Sequence, residues 1–277
     1  MAFLIDTDNA LGSPRGDVDD GLAIAALLRS GLQIAAIASV SGNTSEERAF
    51  RNNQALGAAC GYVGPYLRGI DAGSWPVWES GKLRVAALGP LTNIASALAV
   101  RGRLDVSEVV LVGGNASSRG RWPPYWPHEF NLTKDRAATR AVFASELPLT
   151  IVPLDVAGRL RVGPREIAEL GGPLGDLLRR HSRRWLRRSR LLRWSASFPA
   201  FDLAAAAYLI DPESVTTEET RVRLHPNTRV EFGRGERKVR VVRDLDRERI
   251  WRRFVALVNE PPAGAPGGAP PGGGLHP

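Results

Sequence analysis

Short apolar runs alternate with helix-favouring segments from the start of the chain, and this alternation limits the fold more than any other feature. Ala2 to Ile5 is an apolar run ending at Asp6, as in a buried strand. Gly21 to Leu28 (GLAIAALL) favours helix, and Gln33 to Val40 reads as a second buried strand. Ser45 to Ala59 reads as a helix, with Ser45 as N-cap and Glu47 in the first turn. Three more strands are expected at Leu83–Leu88, Glu108–Val112 and Leu149–Leu154, with helices at Leu91–Val100 and Lys134–Ala144 between them. Continuously apolar strands separated by helices predict an α/β fold: an open, mostly parallel mixed sheet flanked by helices.

The later chain changes character. Pro173 to Trp194 is expected to be helical, Asp202 to Ile210 (DLAAAAYLI) a short helix, and Val215 to Leu245 β-rich. Arg247 to Val258 closes the pattern as an amphipathic helix. Of the 17 residues from Pro261 to Pro277, 12 are Pro or Gly, a composition too poor in apolar surface to order itself. The expectation is one domain over residues 1–258 and a disordered tail over 259–277.

The net charge of +8 invites a nucleic-acid reading, but its distribution argues against one. Eight arginines and no acid fall in Arg179–Arg193; outside that segment basic and acidic residues are equal, at 29 each. A uniformly basic coat is excluded. Within the segment, Leu178, Trp185, Leu186 and Leu192 interrupt the charge as a buried stripe would, so a helix with a solvated or subunit-facing basic side is expected. Cys60 is alone, which excludes an intrachain disulfide and a Cys-based zinc site. Its setting, Gly57-Ala58-Ala59-Cys60, suits a small buried helix residue. No apolar run is long enough for a membrane span, and Asp6 and Asp8 interrupt the only apolar stretch near the N-terminus. A cytoplasmic, reducing location is the expectation.

The chemistry concentrates where strands hand over to helices. Asp6, Asp8, Asp17, Asp19 and Asp20 lie within 15 residues, between a strand and a helix. Carboxylates so crowded repel one another unless protons or a cation compensate. An all-oxygen set without Cys or His favours a hard cation such as Ca²⁺ or Mg²⁺. Helix capping would account for Asp17 and Asp19 alone. Four further signals follow: Ser41-Gly42-Asn43 at a strand end, Leu88-Gly89-Pro90-Leu91-Thr92-Asn93, His128-Glu129-Phe130-Asn131, and Phe201-Asp202 opening an apolar helix. Ligands bind at the carboxyl ends of strands in open α/β sheets.

In series, these motifs resemble the inosine-uridine-preferring nucleoside hydrolase family. The acidic start resembles its Asp-x-Asp…Asp-Asp motif, Val40–Asn43 its strand-end Gly-Asn, and LGPLTN a family signature. Val110–Gly114 is similar to its strand and glycine pair, and Glu129–Asn131 to its Glu-Phe-Asn motif. Asp202 stands where the last metal-binding Asp belongs, and the resemblance runs from about Phe3 to Val258. It implies a Ca²⁺-dependent enzyme that hydrolyses ribonucleosides to base and ribose, and a homo-oligomer, dimer or tetramer. It further implies that Asp8 binds Ca²⁺ and acts as general base on a metal-bound water. Asp20, Asp202 and the Leu88 carbonyl would complete the metal ligands. Asp19, Asn43, Glu129 and Asn131 would hold the ribose hydroxyls, and Asp6 would support Asp8 from behind. Glu129 and Asn131, two apart, would grip adjacent hydroxyls from one side of an extended segment.

The sequence departs from the family in three places. Eleven residues separate Asp8 from Asp19, more than usual, with Leu11–Gly16 reading as an insertion that makes Asp17 an alternative ligand. Phe201 replaces the His that often precedes the last Asp and protonates the leaving base; Phe201, Trp122, Trp126 and His128 become candidates for contacting the base, with His128 and Tyr125 as possible acids. The segment from Gly69 to Leu83 is short, and offers Trp75 and Trp78 as loop anchors or stacking platforms. Two other readings stay open: a nucleoside- or ribose-binding homologue with little turnover, and a phosphatase of the haloacid dehalogenase type using Asp6 and Asp8.

Overall fold

The structure is a computed structural model; it describes residues 2–14, 16–69, 82–116, 129–193 and 195–261, with the side chains of 192 and 193 also outside the description. In chain order the elements are β1 (Ala2–Thr7), α1 (Asp19–Arg29), β2 (Gln33–Ser39), α2 (Glu46–Cys60), β3 (Tyr66–Arg68), β4 (Leu83–Ala87), α3 (Thr92–Arg101) and β5 (Val106–Val112). There follow α4 (Phe130–Lys134), α5 (Arg136–Ala144), β6 (Leu149–Val152), α6 (Leu154–Ala157), β7 (Arg161–Val162), α7 (Pro164–Ala168) and α8 (Gly172–Arg193). The chain ends with β8 (Phe198–Pro199), α9 (Phe201–Ile210), β9 (Val215–Leu224), β10 (Val230–Phe232), β11 (Arg237–Leu245) and α10 (Arg247–Asn259).

Nine strands form one sheet in the order β10-β9-β11-β6-β5-β4-β1-β2-β3. From β11 to β3 every neighbouring pair is parallel; β9 pairs antiparallel with both β10 and β11. The expected open, mostly parallel mixed sheet is therefore present. Alternate residues of β1 serve opposite faces, as a two-residue period requires: Phe3 and Ile5 join one core, Ala2 and Leu4 the other. The first core lies under α1, α9 and α10, the second under α3 and α5. Leu22, Ile24 and Leu27 of α1 are fully buried, each worth about 1.5–3 kcal/mol of apolar burial. This anchors the helix that carries Asp19 and Asp20.

The expected elements stand where the pattern placed them, with three corrections. Leu154 opens α6 rather than ending a strand, because Pro153 has no N–H to continue the ladder. The helix expected from Lys134 begins at Phe130 and breaks at Asp135, whose side chain accepts from Ala138 N and caps a second helix. Glu129 and Asn131 do not share an extended segment: Glu129 is the N-cap of α4 and Asn131 lies in its first turn. Elements β3, β7, α6 and α7 carry too few residues to show a period. Cys60 is buried at the end of α2, where burial pushes its thiol up to about 12. No described helix is long and apolar enough to cross a membrane.

Candidate active site

Parallel strands point their carboxyl ends the same way, so the ends of β1, β2, β4 and β5 converge on one rim. Backbone bonds stitch that rim together: Val40 N donates to Thr7 O at 3.0 Å, and Leu88 N to Asp6 O at 2.8 Å. The strand-end motifs sit on these links. Asp8, just past β1, is buried, and its Oδ2 accepts from Asn43 N at 2.5 Å. A Cβ on Gly42 would lie 1.9 Å from that same Oδ2, and one on Gly89 3.0 Å from Asp8 N. The two glycines let the β2 and β4 loops close directly on Asp8, which accounts physically for Ser-Gly-Asn and for the glycine of LGPLTN. Asn93 of the latter motif donates to Asp6 Oδ1 at 2.7 Å and to Ser39 O at 3.1 Å. It thereby ties the start of α3 to the ends of β1 and β2.

The loop after Asp8 returns the remaining acids to this rim. Asn9 Nδ2 donates to Asn53 Oδ1 at 2.9 Å, and Asn53 Nδ2 to Ser39 Oγ at 3.1 Å. Asn52 Nδ2 donates to Asn9 O at 2.8 Å, and Leu11 is buried. With the long loop pinned to α2, Asp19 and Asp20 open α1, where the helix dipole favours negative charge. Val18 is the N-cap and makes no side-chain cap, so capping does not explain the acids. Asp17, Asp19 and Asp20 each offer an oxygen within 4.8 Å of the others. Packing of α1 on α9 brings Asp202 to the same place; its nearest charged neighbours are Asp19, Asp20, Asp8 and Asp17.

Burial raises the carboxyls of Asp6, Asp8, Asp19, Asp20 and Asp202. Asp6, Asp8 and Asp19 are pushed up to about 7 by desolvation, partly offset by hydrogen bonds from Asn93, from Asn43 and from the Phe201 backbone respectively. Asp20 and Asp202 are raised well above the carboxylate range by burial and then by neighbouring carboxylates. Thr7 Oγ1 donates to Asp20 Oδ1 at 2.5 Å, yet Asp20 Oδ2, Asp8 Oδ1 and Asp6 Oδ2 are buried and accept no hydrogen bond from the described residues. Orphaned, buried carboxylate oxygens at 0–1 % exposure are the donor set a hard cation requires, so these residues fit such an ion.

Asp19, Asn43, Leu88, Glu129, Asn131, Phe201 and Asp202 line one cavity of about 70 Å³. Asp8 and Asp20 lie buried behind the Asn43 and Asp19 lining, and Asp6 deeper, against Asn93. Asn131 Nδ2 donates to Leu88 O at 2.9 Å and to Val112 O at 3.3 Å, which locks α4 onto the ends of β4 and β5. Glu129 Oε2 accepts from Leu132 N at 2.6 Å, and burial raises its carboxyl to about 8. Phe130, Leu154 and Trp185 also line the cavity. Sequence reasoning placed Trp185 only in the buried stripe of α8, and the spacing of that helix gave no signal that it reaches the site. Trp122, Trp126, His128, Tyr125, Trp75 and Trp78 lie outside the described residues.

A larger groove of about 640 Å³ lies at the opposite, amino ends of β4, β5 and β6. Its buried acid, Glu108, is satisfied by Arg84 Nε at 2.9 Å, Tyr208 Oη at 2.8 Å and Thr150, which hold it below the usual range despite burial. A saturated carboxylate of this kind ties strands together, and among the described residues both of its oxygens are taken by protein donors.

An acid-walled pocket at the strand ends of a mixed parallel sheet defines a class of site whose carboxylates are able to take a metal ion. Residues 76–252 match the family described as inosine-uridine preferring nucleoside hydrolase, and the chain belongs to that family. The putative pyrimidine-specific ribonucleoside hydrolase RihB of Shigella boydii is 32 % identical over 161 residues, which are 56 % of this chain and 65 % of that protein. The pyrimidine-specific ribonucleoside hydrolase RihB of Escherichia coli O1:K1 shows the same identity over 56 % of this chain and 50 % of its own length. The matches thus span about half to two thirds of these curated relatives. A plant nucleoside hydrolase, PpNRh1, superposes with a TM-score of 0.76 at 18 % identity, covering 94 % of this chain and 99 % of that one. The purine-preferring ribonucleoside hydrolase of Gardnerella vaginalis gives 0.76 at 20 %, covering 93 % and 98 %. At these identities the superpositions show a shared fold.

Proposed function

We propose that this chain is a Ca²⁺-dependent nucleoside hydrolase that splits the N-glycosidic bond of ribonucleosides into free base and ribose. The observation that carries the reading is the meeting of Asp8, Asp19, Asp20 and Asp202 at one rim, with buried oxygens of Asp8 and Asp20 that have no hydrogen-bond partner among the described residues, beside Asn43, Glu129 and Asn131. Asp8, Asp20, Asp202 and the Leu88 carbonyl would hold the cation, with Asp17 beside Asp19 and Asp20 as a further carboxylate. When bound, Ca²⁺ supplies positive charge that gathers the ribose diol and acidifies a water.

The chain's own residues then divide the work. Asp8, held by Asn43 N–H and walled by Gly42 and Gly89, takes the proton from the attacking water. The water oxygen bonds to the anomeric carbon as the bond to the base nitrogen breaks; the electron pair leaves with the base, which takes a proton from solvent, and Asp8 returns its proton to solvent at the end of the cycle. Asp19, Asn43, Glu129 and Asn131 grip the hydroxyls, and the surrounding negative charge stabilises the oxocarbenium-like transition state. Phe201 and Trp185 offer flat apolar faces for the base. The catalytic unit spans residues 1 to about 258, works in the cytoplasm as a homo-oligomer, and needs no nucleic-acid partner.

Phe201 favours a second reading, because it lines the cavity in the place of a proton donor and has no proton to give. On that reading the chain binds nucleosides and turns them over little. Sugar release from a panel of purine and pyrimidine nucleosides, with and without chelator, separates the two. The hydrolase reading expects release that chelator abolishes and Ca²⁺ restores; nucleoside binding in saturating Ca²⁺ with no sugar formed would sink it.

A further inference from the structure

Of the basic helix α8 (Gly172–Arg193), the reaction above uses Trp185 alone and leaves its arginines without a role. Leu178, Ser182, Leu186 and Ser189 are buried along it, and Trp185 reaches the catalytic cavity. One turn either side of Trp185 stand His181 and Arg188, with Arg184 beside it. These residues, with Gly12, Ser13, Pro14 and Gly16 opposite, line a second cavity of about 180 Å³ that shares Trp185 as a wall with the first. Arg179 is paired with Asp176. By contrast, Arg184 and Arg188 have no hydrogen bond or ion pair among the described residues. Burial lowers the His181 pKa, and the charges of Arg180 and Arg184 lower it further, which marks this wall as a place of positive potential. Guanidinium forks, an imidazole and a serine hydroxyl around a recess are the usual equipment for a phosphate or carboxylate. The catalytic cavity, at about 70 Å³, is also well below the few hundred Å³ of a typical ligand pocket, and the adjoining recess extends it.

We propose that this recess is a subsite for an anionic substituent of the substrate, received by Arg184 and Arg188 with His181 alongside. The preferred substrate is then a ribonucleoside bearing a phosphate on its sugar or a carboxylate on its base. This deepens the hydrolase reading and rests on it. The acids and their cation hold the sugar diol, while the arginines select the anion, so opposite charges sit at opposite ends of one bound molecule.

The test compares uridine, uridine 5′-monophosphate and orotidine, by release of reducing sugar and by calorimetric binding. One of the two anionic compounds is expected to exceed uridine by about tenfold or more in kcat/KM and in affinity. Which one wins identifies the source of the anion. In the Arg184→Ala/Arg188→Ala double variant the anionic-to-neutral ratio should fall about tenfold, and in the Arg184→Lys/Arg188→Lys variant most of it should remain. A ratio near one in the wild type, or one that survives in the double alanine variant, overturns the subsite. Binding separates the two claims. If no compound releases sugar but the anionic ones bind tighter through these arginines, the hydrolase reading falls and the subsite stands. If uridine is cleaved without any anionic preference, the reverse holds.

Discussion

At the scale of single residues, the site depends on what is missing as much as on what is present. Gly42 and Gly89 matter because a β-carbon on Gly42 would overlap the Asp8 carboxylate, and one on Gly89 would clash with Val40 and crowd Asp8. Gly42→Ala is expected to push the Asp8 carboxylate out of place and to cost about 10²-fold in kcat/KM, as misplacement of a reacting group by about 1 Å does. The check is steady-state sugar release together with a melting curve, to separate a displaced Asp8 from an unfolded chain; unchanged kinetics would mean that the loop is not fixed against Asp8. Here the sequence was only partly informative. Ser41-Gly42-Asn43 is ordinary turn chemistry on its face, and nothing in the string reveals that its glycine abuts a carboxylate 34 positions earlier. The same holds for Trp185, whose helical spacing signalled burial and gave no hint of the pocket it edges.

At the scale of elements, the helices do more than cover the sheet. The face of α2 that carries Asn52 and Asn53 pins the long loop, and through it the start of α1. Replacing Asn53 with Ala leaves Asn9 and Ser39 as buried polar groups without that partner. A destabilisation of about 1–3 kcal/mol is expected, read as a shift in denaturant midpoint at constant slope. The elements themselves were legible because strands β1, β2, β4, β5 and β6 are predominantly apolar and mostly buried, with helix-period segments between them. The short pieces from Leu154 to Ala168 were not, since two to five residues show no period. The Glu129–Asn131 geometry was misread for a related reason. A five-residue helix is set by its cap, the Glu129 carboxylate on Leu132 N, rather than by any repeat in the sequence.

At the scale of the whole molecule, a formally basic chain holds its acids together at one rim. The order of strand-end motifs made that rim legible, because parallel strands bring Asp8, Asn43 and Leu88 to the same edge whatever their separation in sequence, and α9, packed on α1, adds Asp202. The recess beside it was not legible, because Arg184 and Arg188 acquire their meaning only from the loop opposite. Gathering the acids has a thermodynamic consequence. Asp6, Asp8 and Asp19 are raised in the folded, cation-free chain to about 7, from about 4 when unfolded. Folded protein therefore binds more protons than unfolded protein in that window, so stability falls as pH rises from about 4 to about 7. With chelator present the melting temperature should drop across that range, and Ca²⁺ should raise it more at pH 8 than at pH 5. A cation-independent, flat profile would mean that these carboxylates are compensated by other means. The most direct test of the central claim is sugar release by wild type and Asp8→Asn, side by side in saturating Ca²⁺ with a nucleoside panel. The expected result is clear turnover by wild type and a loss of about 10²–10⁴-fold in the variant, the range for removing a general base; equal rates for the two proteins would contradict the account.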